Sequence, residues 1–363
     1  MQMIITSIKT KTIRSSNYNL IFDKETGYSV WWGSTEEETP QRCPYGPTHV
    51  DIEIVSMCEG PGGHLCPFCY KSNTNTGSYM SLDTYKKILD ILPDTVCQVA
   101  IGADANLTKN PDIWKILEYT REKGIVPNIT VADIDQEAAN RLANVCGAVA
   151  VSWYGIHSDK DICYNSIHYL CEAMKQPNAT LKQVNMHFML SKETSKHIDE
   201  LIQDIKTDSR LKDLNAIVFL SLKQKGRGKH FRGLRYSEFK QVVKKLLDNN
   251  IPFGFDSCSQ PKFIKTIKEI KPDLLQAAIE SSESCESLSH SIYINDKGTA
   301  YPCSFLENEN WNRLSNTHQW DMLSLKNSEE FQAKVWNSLD AIEFSQRAHI
   351  CANCEEGCQY YTI

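Results

Sequence analysis

The chain has 363 residues, of which 41% are hydrophobic, and its formal net charge is −6. This length suffices for one large α/β core with a smaller appendage, and the negative charge gives no general reason to expect nucleic-acid binding. With no run of about eighteen apolar residues and no signal-peptide core near the start, the sequence predicts a cytoplasmic protein that does not span a membrane. Fourteen cysteines in such a chain indicate metal binding.

The segment 1–49 is predicted to form a leader with a small β-element. The run YSVWW at 28–32 is typical of a strand, and an acidic run follows at 36–38. We expect this segment to pack on the main domain. It is expected to be too short for a complete peptide-recognition domain.

Three cysteines, Cys58, Cys66 and Cys69, follow the first predicted strand of the core. Seven residues separate the first pair and two separate the second, and Phe68 and Tyr70 flank the last cysteine. Three thiolates can hold three irons of a [4Fe-4S] cluster and leave the fourth iron open, whereas a ferredoxin-type cluster takes four cysteines. The spacing therefore indicates a cluster with one iron free to bind a cofactor.

A structural zinc site is the alternative interpretation of these cysteines. Zinc normally takes four Cys or His ligands in two close pairs. Only His64 and Cys43 stand near enough in the sequence to complete such a set. The spacing favours iron.

Six strand-like segments alternate with six helix-like segments after the leader. The strands are predicted at 50–55, 95–103, 125–132, 147–155, 183–190 and 214–222. The helices are predicted at 81–92, 110–124, 133–145, 160–176, 191–206 and 236–250. Ser81 is the expected N-cap of the first helix, and Gly124 the expected end of the second. Strict alternation predicts parallel strands with right-handed crossovers, which a barrel and a doubly wound sheet both satisfy.

A basic, glycine-punctuated segment, 223–235, follows the sixth strand. Its position predicts a loop at the carboxyl end of the sheet. The cations are expected either to clamp an anionic substrate or to lie solvated. They are Lys223, Lys225, Arg227, Lys229, Arg232 and Arg235.

The alternation ends near residue 250. A helix-like segment at 263–270 and a hairpin with its turn at 295–298 precede a cysteine-rich tail. The cysteines of this region are Cys258, Cys285, Cys303, Cys351, Cys354 and Cys358.

The three-cysteine loop after a first strand, the aromatic residue beside its last cysteine and the βα pattern that follows resemble the radical S-adenosylmethionine (SAM) enzymes. The commonest loop of that family has three residues between the first two cysteines, where this one has seven, with GPGG inserted. The resemblance implies an α/β fold, with an open partial (βα)6 TIM-like barrel over 50–250 and the active site at the carboxyl ends of its strands. It also implies a SAM-binding [4Fe-4S] cluster on Cys58, Cys66 and Cys69.

The resemblance further implies contacts to SAM. Two glycines and an acid that hold the methionyl amino group in the family correspond here to Gly102, Ala103 and Asp104, with one glycine replaced. An ordinary βα turn is the alternative, because such turns favour Gly and Asp. Ser152 corresponds to a position that contacts the ribose or the carboxylate.

Three more residues are candidates for the cofactor site. The backbone around Phe68 and Tyr70 is expected to border the adenine. His187 and its neighbour Asn185 alternate on the fifth strand and are both expected to face the barrel interior. A packing role is the alternative for His187.

The C-terminal cysteines resemble the auxiliary-cluster domains called SPASM and, in a shorter form, twitch. A cysteine before a hairpin, GxxxxC on the hairpin and a later CxxC supply four thiolates. The resemblance implies a small α+β domain at 251–363 with one auxiliary [4Fe-4S] cluster, whose expected ligands are Cys285, Cys303, Cys351 and either Cys354 or Cys358. Cys258 is a spare cysteine, for which the roles of cluster ligand, substrate-facing thiol or neither stay open, and a zinc knuckle is the alternative for the tail.

The resemblance implies the reaction as well. One electron from a low-potential donor such as flavodoxin or ferredoxin would cleave SAM to methionine and a 5′-deoxyadenosyl radical, which abstracts hydrogen from the substrate. We expect a peptide or protein substrate, because auxiliary domains of this type resemble those of peptide-modifying enzymes. A dehydrogenase or mutase of a small metabolite is the alternative. A zinc-stabilised nucleic-acid-binding protein is the hypothesis from a different class.

Overall fold

A ten-stranded sheet forms the centre of the fold, and a four-stranded sheet lies at the start of the chain. The computed structural model describes residues 3–35, 37–156, 160–307 and 319–353, with side chains up to 348. The small sheet contains β1 (Met3–Thr6), β2 (Thr10–Arg14), β3 (Asn19–Asp23) and β4 (Ser29–Trp32). The main sheet contains β5 (His49–Glu53), β6 (Gln98–Gly102), β7 (Val126–Val131), β8 (Ala148–Ser152), β9 (Gln183–Leu190), β10 (Ala216–Ser221), β11 (Phe253–Phe255), β12 (Ser291–Ile294), β13 (Thr299–Tyr301) and β14 (Trp320–Asp321).

Ten α-helices are present in the described part of the chain. They are α1 (Leu82–Ile91), α2 (Ile113–Glu122), α3 (Gln136–Val145), α4 (Lys160–Met174), α5 (Ile198–Thr207), α6 (Tyr236–Asp248), α7 (Gln260–Ile270), α8 (Leu275–Ser281), α9 (Ser328–Phe331) and α10 (Leu339–Asn353). Among these described residues, no helix is both long and apolar enough to cross a bilayer.

The six predicted strand–helix units correspond to β5–α1 through β10–α6. Each of these strands pairs in parallel with the next, and the order β5 to β10 runs in one direction across the sheet. A doubly wound sheet reverses direction at a switch point, so this arrangement is the barrel-like alternative. The described edge strands, β11 and β14, do not pair with each other, and the barrel is therefore open, as the resemblance implied.

Local signals set the ends of these helices. The Ser81 hydroxyl accepts a hydrogen bond from the Thr84 amide at 3.2 Å and caps α1, as predicted. Asp135 caps α3 by accepting from the Ala138 amide at 2.8 Å. Gly124, just after α2, has a φ of +72°, a conformation that glycine adopts without a steric penalty.

The predicted C-terminal hairpin is β12 and β13, and it belongs to the main sheet. β12 pairs in parallel with β5, and β13 pairs antiparallel with β12. In the turn, the Asn295 side-chain oxygen accepts from the Thr299 amide at 2.9 Å, and Gly298 has a φ of +78°. At the other edge, β11 pairs in parallel with β10. Elements on both sides of residue 250 thus share one sheet, and the domain boundaries at 49 and 250 stay predictions.

The N-terminal sheet packs on the amino ends of the barrel strands. Ile13, Leu20 and Phe22 form a small core with Cys97 and Val126, which stand where β6 and β7 begin. Active sites of barrel-like folds lie at the opposite, carboxyl end. The leader therefore covers the far end of the barrel from the cysteine loop.

Candidate active site

One cavity of about 480 Å³ opens at the carboxyl ends of the parallel strands. Small side chains on the inner face of the sheet make room for it, among them Ala100 and Gly102 on β6. Thr130 on β7 and Ser152 on β8 continue this lining. A volume of this order is typical of sites for small molecules and cofactors.

Cys58, Cys66 and Cys69 all line this cavity. The loop that carries them is anchored at both ends, because the Cys58 amide donates to the Thr74 carbonyl at 2.7 Å. Inside the seven-residue insertion, Gly60 has a φ of +76°, and a Cβ there would collide with the His64 carbonyl. The insertion is therefore a shaped turn that keeps the three thiols on one side of the cavity.

Burial keeps the thiols of the cysteine loop protonated when no cation is near. Burial and the neighbouring Cys69 and Cys58 together raise the pKa of Cys66 to about 12. Burial likewise raises the pKa of Cys58, whose sulfur accepts from the Gly60 amide at 3.3 Å. Grouped buried thiols are ionised at neutral pH only when cations compensate them, and metal ions do so by binding directly.

The two residues considered as a fourth zinc ligand do not lie in the cavity. Cys43 is buried in the small core beneath the N-terminal sheet, and His64 is exposed and does not line the cavity. Within the described ranges, no three His, Cys, Asp or Glu side chains stand close enough to hold one metal ion together, and this includes the three thiols, which share the cavity but not one ion site.

Five of the seven residues predicted to contact the cofactor line the cavity. They are Tyr70, Gly102, Ala103, Ser152 and His187. Burial lowers the pKa of His187 to about 4, so its ring is neutral at pH 7. Asn185 does not line the cavity; its side-chain oxygen accepts from Asn215 at 2.9 Å.

Phe68 and Asp104 do not line the cavity. Phe68 packs edge-on against Tyr154, with ring centroids 4.7 Å apart. Asp104 is 1% exposed, and its carboxylate accepts from the amides of Thr108 at 2.9 Å and Lys109 at 3.2 Å. These bonds are those of a βα turn, and the assignment of Asp104 to the methionyl ammonium stays a prediction.

The basic loop, residues 223–235, packs against the cysteine loop. The Arg227 guanidinium donates to the carbonyls of Cys66 at 2.8 Å and Asn73 at 3.0 Å, and its amide donates to Cys69 at 3.0 Å. Lys223 forms a buried ion pair with Asp256 at 3.3 Å. These two cations therefore neither clamp an anion nor lie solvated, which were the two roles expected from the sequence.

The remaining cations of the basic loop differ in their surroundings. The Lys225 ammonium donates to the Phe305 carbonyl at 2.9 Å. Arg232 and Arg235 pair with glutamates near the surface, and Lys229 is exposed. The loop serves chiefly to hold the wall of the cavity.

A buried polar network on the other wall was missed by the sequence analysis. The Lys71 ammonium lies 3.0 Å from a Glu53 carboxylate oxygen and also contacts Glu307 and the Tyr293 hydroxyl. Tyr293 donates to Glu53 at 2.8 Å, and Asn295 donates to Glu307 at 2.7 Å. The detectable signal was in β5, where charged residues alternate with apolar ones. Such alternation places the charges on the inner face of the barrel.

The predicted auxiliary ligands are described only in part. Cys285 and Cys303 are partly buried against the main core, and Cys303 directly precedes Ser304 and Phe305, which line the cavity. Cys258 lies beside Lys223. Burial lowers the pKa of Lys223, but Asp256 and Cys258 together raise it above its ordinary value. Cys351 lies in α10, but its side chain is outside the described residues, as are Cys354 and Cys358 entirely.

No family model and no curated protein matches the sequence. Among solved structures, SuiB from Streptococcus suis bound to S-adenosylmethionine aligns with a TM-score of 0.61, over 86% of this chain and 73% of that chain, at 14% identity. This alignment shows that the two chains share a fold. TYW1 with a lysine-pyruvate adduct aligns at a TM-score of 0.38 and 14% identity, over 56% of this chain and 72% of that chain.

BtrN in complex with AdoMet and 2-DOIA aligns at a TM-score of 0.24 and 11% identity, over 83% of this chain and 86% of that chain. Of these three alignments, that with SuiB indicates a shared fold, because the other two TM-scores are low. In that fold the cysteine loop of this chain stands after the first barrel strand, β5, at the mouth of the cavity.

Proposed function

We propose that this chain is a radical SAM enzyme. The observation that carries the proposal is that Cys58, Cys66 and Cys69 bring three thiols to one cavity at the carboxyl ends of the barrel strands. This donor set fits a [4Fe-4S] cluster with one open iron. When bound, such a cluster supplies one electron to SAM, which gives methionine and a 5′-deoxyadenosyl radical that takes hydrogen from the substrate.

The chain's own residues hold and enclose this chemistry. The Gly60 amide donates to the Cys58 sulfur, and Arg227 fixes the carbonyl of Cys66. Hydrogen bonds to ligand sulfur and rigid support of the ligand loop tune a cluster's potential. Gly102 and Ala103 leave their backbone accessible on the opposite wall, where the SAM amino group is proposed to bind.

An auxiliary cluster on Cys285, Cys303 and the tail cysteines remains part of the proposal. Support comes from Cys303, because the next two residues, Ser304 and Phe305, line the cavity. The Phe305 ring lies 4.8 Å from that of Tyr70, next to Cys69. Cys303 would hold such a cluster beside the cavity wall, where the cluster could bind the substrate or accept an electron.

Counting iron after anaerobic reconstitution tests both clusters. We expect about eight irons per chain, falling to about four when Cys58, Cys66 and Cys69 are replaced by alanine. About four irons that vanish in the triple variant would contradict the auxiliary cluster. Zinc in place of iron, or no deoxyadenosine from SAM and dithionite, would contradict the enzyme.

A peptide or protein is the proposed substrate, on the resemblance of the C-terminal cysteines to auxiliary domains of peptide-modifying enzymes. One observation favours a small metabolite as the second candidate: the cavity of about 480 Å³ must hold SAM as well as the reacting group. Separate incubation with peptides and with small metabolites distinguishes the two. The class that contains the substrate is the one whose members lose hydrogen as deoxyadenosine forms.

A further inference from the structure

Two carboxylates of β5, those of Asp51 and Glu53, line the cavity below the cysteine loop, and Lys71 neutralises Glu53. Asp51 lies in the middle of β5, in register with Ala100 on β6 and Tyr293 on β12. It lines the cavity, and it makes no hydrogen bond or ion pair with any other described residue. Asp51 is partly buried, and a charged carboxylate in that setting without a partner is costly, so this one is set up for a ligand.

The cations nearest to Asp51 in the sequence and the cavity are already engaged. Lys71 bridges two carboxylates, Glu53 and Glu307. His49 lies 3.2 Å from a carboxylate oxygen of Glu286. The wall around Asp51 therefore carries more negative than positive charge. Burial raises the pKa of Asp51, and the nearby His49 opposes this effect without cancelling it.

The position of Asp51 separates it from the cofactor site. Asp51 is two residues inside the end of β5 at Glu53, which is about 7 Å deeper than the strand end. The thiols stand on the loop beyond that end, so they would hold a cofactor nearer to the strand ends than to Asp51. Opposite Asp51, the short side chain of Ala100 leaves space for another group.

We propose that Asp51 binds a protonated amine or a guanidinium of the substrate, so that the substrate is a cationic compound. This inference rests on the proposed function and names its substrate class. A charge-assisted hydrogen bond from such a group compensates the buried carboxylate, and a neutral isostere leaves it unpaired. The cation comes either from a basic side chain of a peptide or from a small amine.

Calorimetric titration of the reconstituted, SAM-loaded protein tests the proposal with two matched probe pairs. The small pair is n-butylguanidinium and its neutral isostere n-butylurea. The peptide pair is a capped tripeptide with a central arginine and the same tripeptide with citrulline. In wild type we expect the cationic member of at least one pair to bind at least tenfold more tightly, and the responding pair identifies the source of the cation.

Asp51→Asn is expected to abolish this preference and to change SAM affinity less than twofold. The substitution is nearly isosteric and removes a partly buried charge. The Tm of the variant is therefore expected to equal or exceed that of wild type. Asp83→Asn, an exposed site on α1, is the control and retains the preference. Equal binding within both pairs in wild type, or a preference that survives Asp51→Asn, overturns the proposal.

A large loss of SAM affinity in Asp51→Asn also overturns the proposal, because it assigns the carboxylate to the cofactor. Failure of the proposed function is separate. It shows as missing iron or missing SAM binding in wild type, both measured before any probe is added, whereas failure of this inference shows as equal probe binding to protein that carries both.

Discussion

Lys71 is the residue that balances charge beside the cysteine loop. It follows Cys69 by two positions and is 11% exposed at its side chain. Its ammonium contacts Glu53 on β5 and Glu307 beyond β13, so one cation holds two buried carboxylates. Burial raises the pKa of Glu53, whereas Lys71 and hydrogen bonds lower the pKa of Glu307 against the effect of burial. Removing Lys71 leaves both carboxylates without their cation.

Lys71→Met is therefore expected to lower the free energy of unfolding by about 3 kcal/mol, the scale for breaking a buried ion pair. Urea unfolding measures this loss of free energy. Lys240→Met, which breaks a surface pair with Glu269, is the matched control and is expected to cost less than about 1 kcal/mol. The double variant with Lys71→Met and Glu307→Gln should regain part of the lost free energy of unfolding. Equal effects of the two lysine substitutions would contradict a structural role for the network.

At the scale of elements, the basic loop and the cysteine loop form one packed unit. Gly226 has a φ of +54°, and a Cβ there would stand 2.8 Å from the Cys69 carbonyl oxygen and would also meet that of Tyr70. A Cβ on Gly228 would likewise stand 3.0 Å from the Phe68 carbonyl oxygen. Only glycine permits this approach, because any side chain would push the two loops apart. The basic loop thus shapes the loop that presents the thiols.

Gly226→Ala is expected to destabilise the chain by about 2 kcal/mol, from left-handed strain and the clash together, and to reduce the iron bound. Gly233→Ala, in the same loop, is the control, since no atom lies within 4 Å of a Cβ there. Thermal unfolding and iron content after reconstitution measure both effects. If the two alanines behave alike, the basic loop does not position the cysteine loop.

At the scale of the whole molecule, the far end of the barrel holds a second polar site, beneath the N-terminal sheet. Glu286 lies 3.2 Å from the His49 ring nitrogen at the start of β5. Burial, and then the negative charge of Asp51, raise the pKa of Glu286 to about 7 from 4.5. The folded chain therefore takes up a proton between pH 4.5 and 7 that the unfolded chain does not hold.

This proton makes a pH-dependent contribution to stability. The contribution is complete below the unfolded pKa of 4.5 and is lost as pH rises through about 7. Over that window it amounts to about 3 kcal/mol. Glu286→Gln removes it, so the variant should gain stability relative to wild type between pH 4.5 and pH 8, measured by urea unfolding at both values. A constant difference between the two proteins would contradict the raised pKa.

Three features of the whole were determined by the sequence alone. The six strand–helix units follow from periodicity and capping residues such as Ser81, which act within a few positions of the chain. The cysteine loop was also predicted from the sequence, because the spacing of Cys58, Cys66 and Cys69 within one loop indicates what they can bind. Hairpin β12–β13 was predicted from its turn residues for the same reason.

Other features were decided only by the tertiary structure. Lys71 meets Glu307 across 236 positions, and Arg227 meets Cys66 across 161. The hairpin's place beside β5, the turn bonds of Asp104 and the isolation of Asp51 also depend on which elements become neighbours. Periodicity reports which face of a strand is buried, but it does not report what stands opposite that face. The partners of a buried charge are set by packing, and packing joins residues that are far apart in the chain.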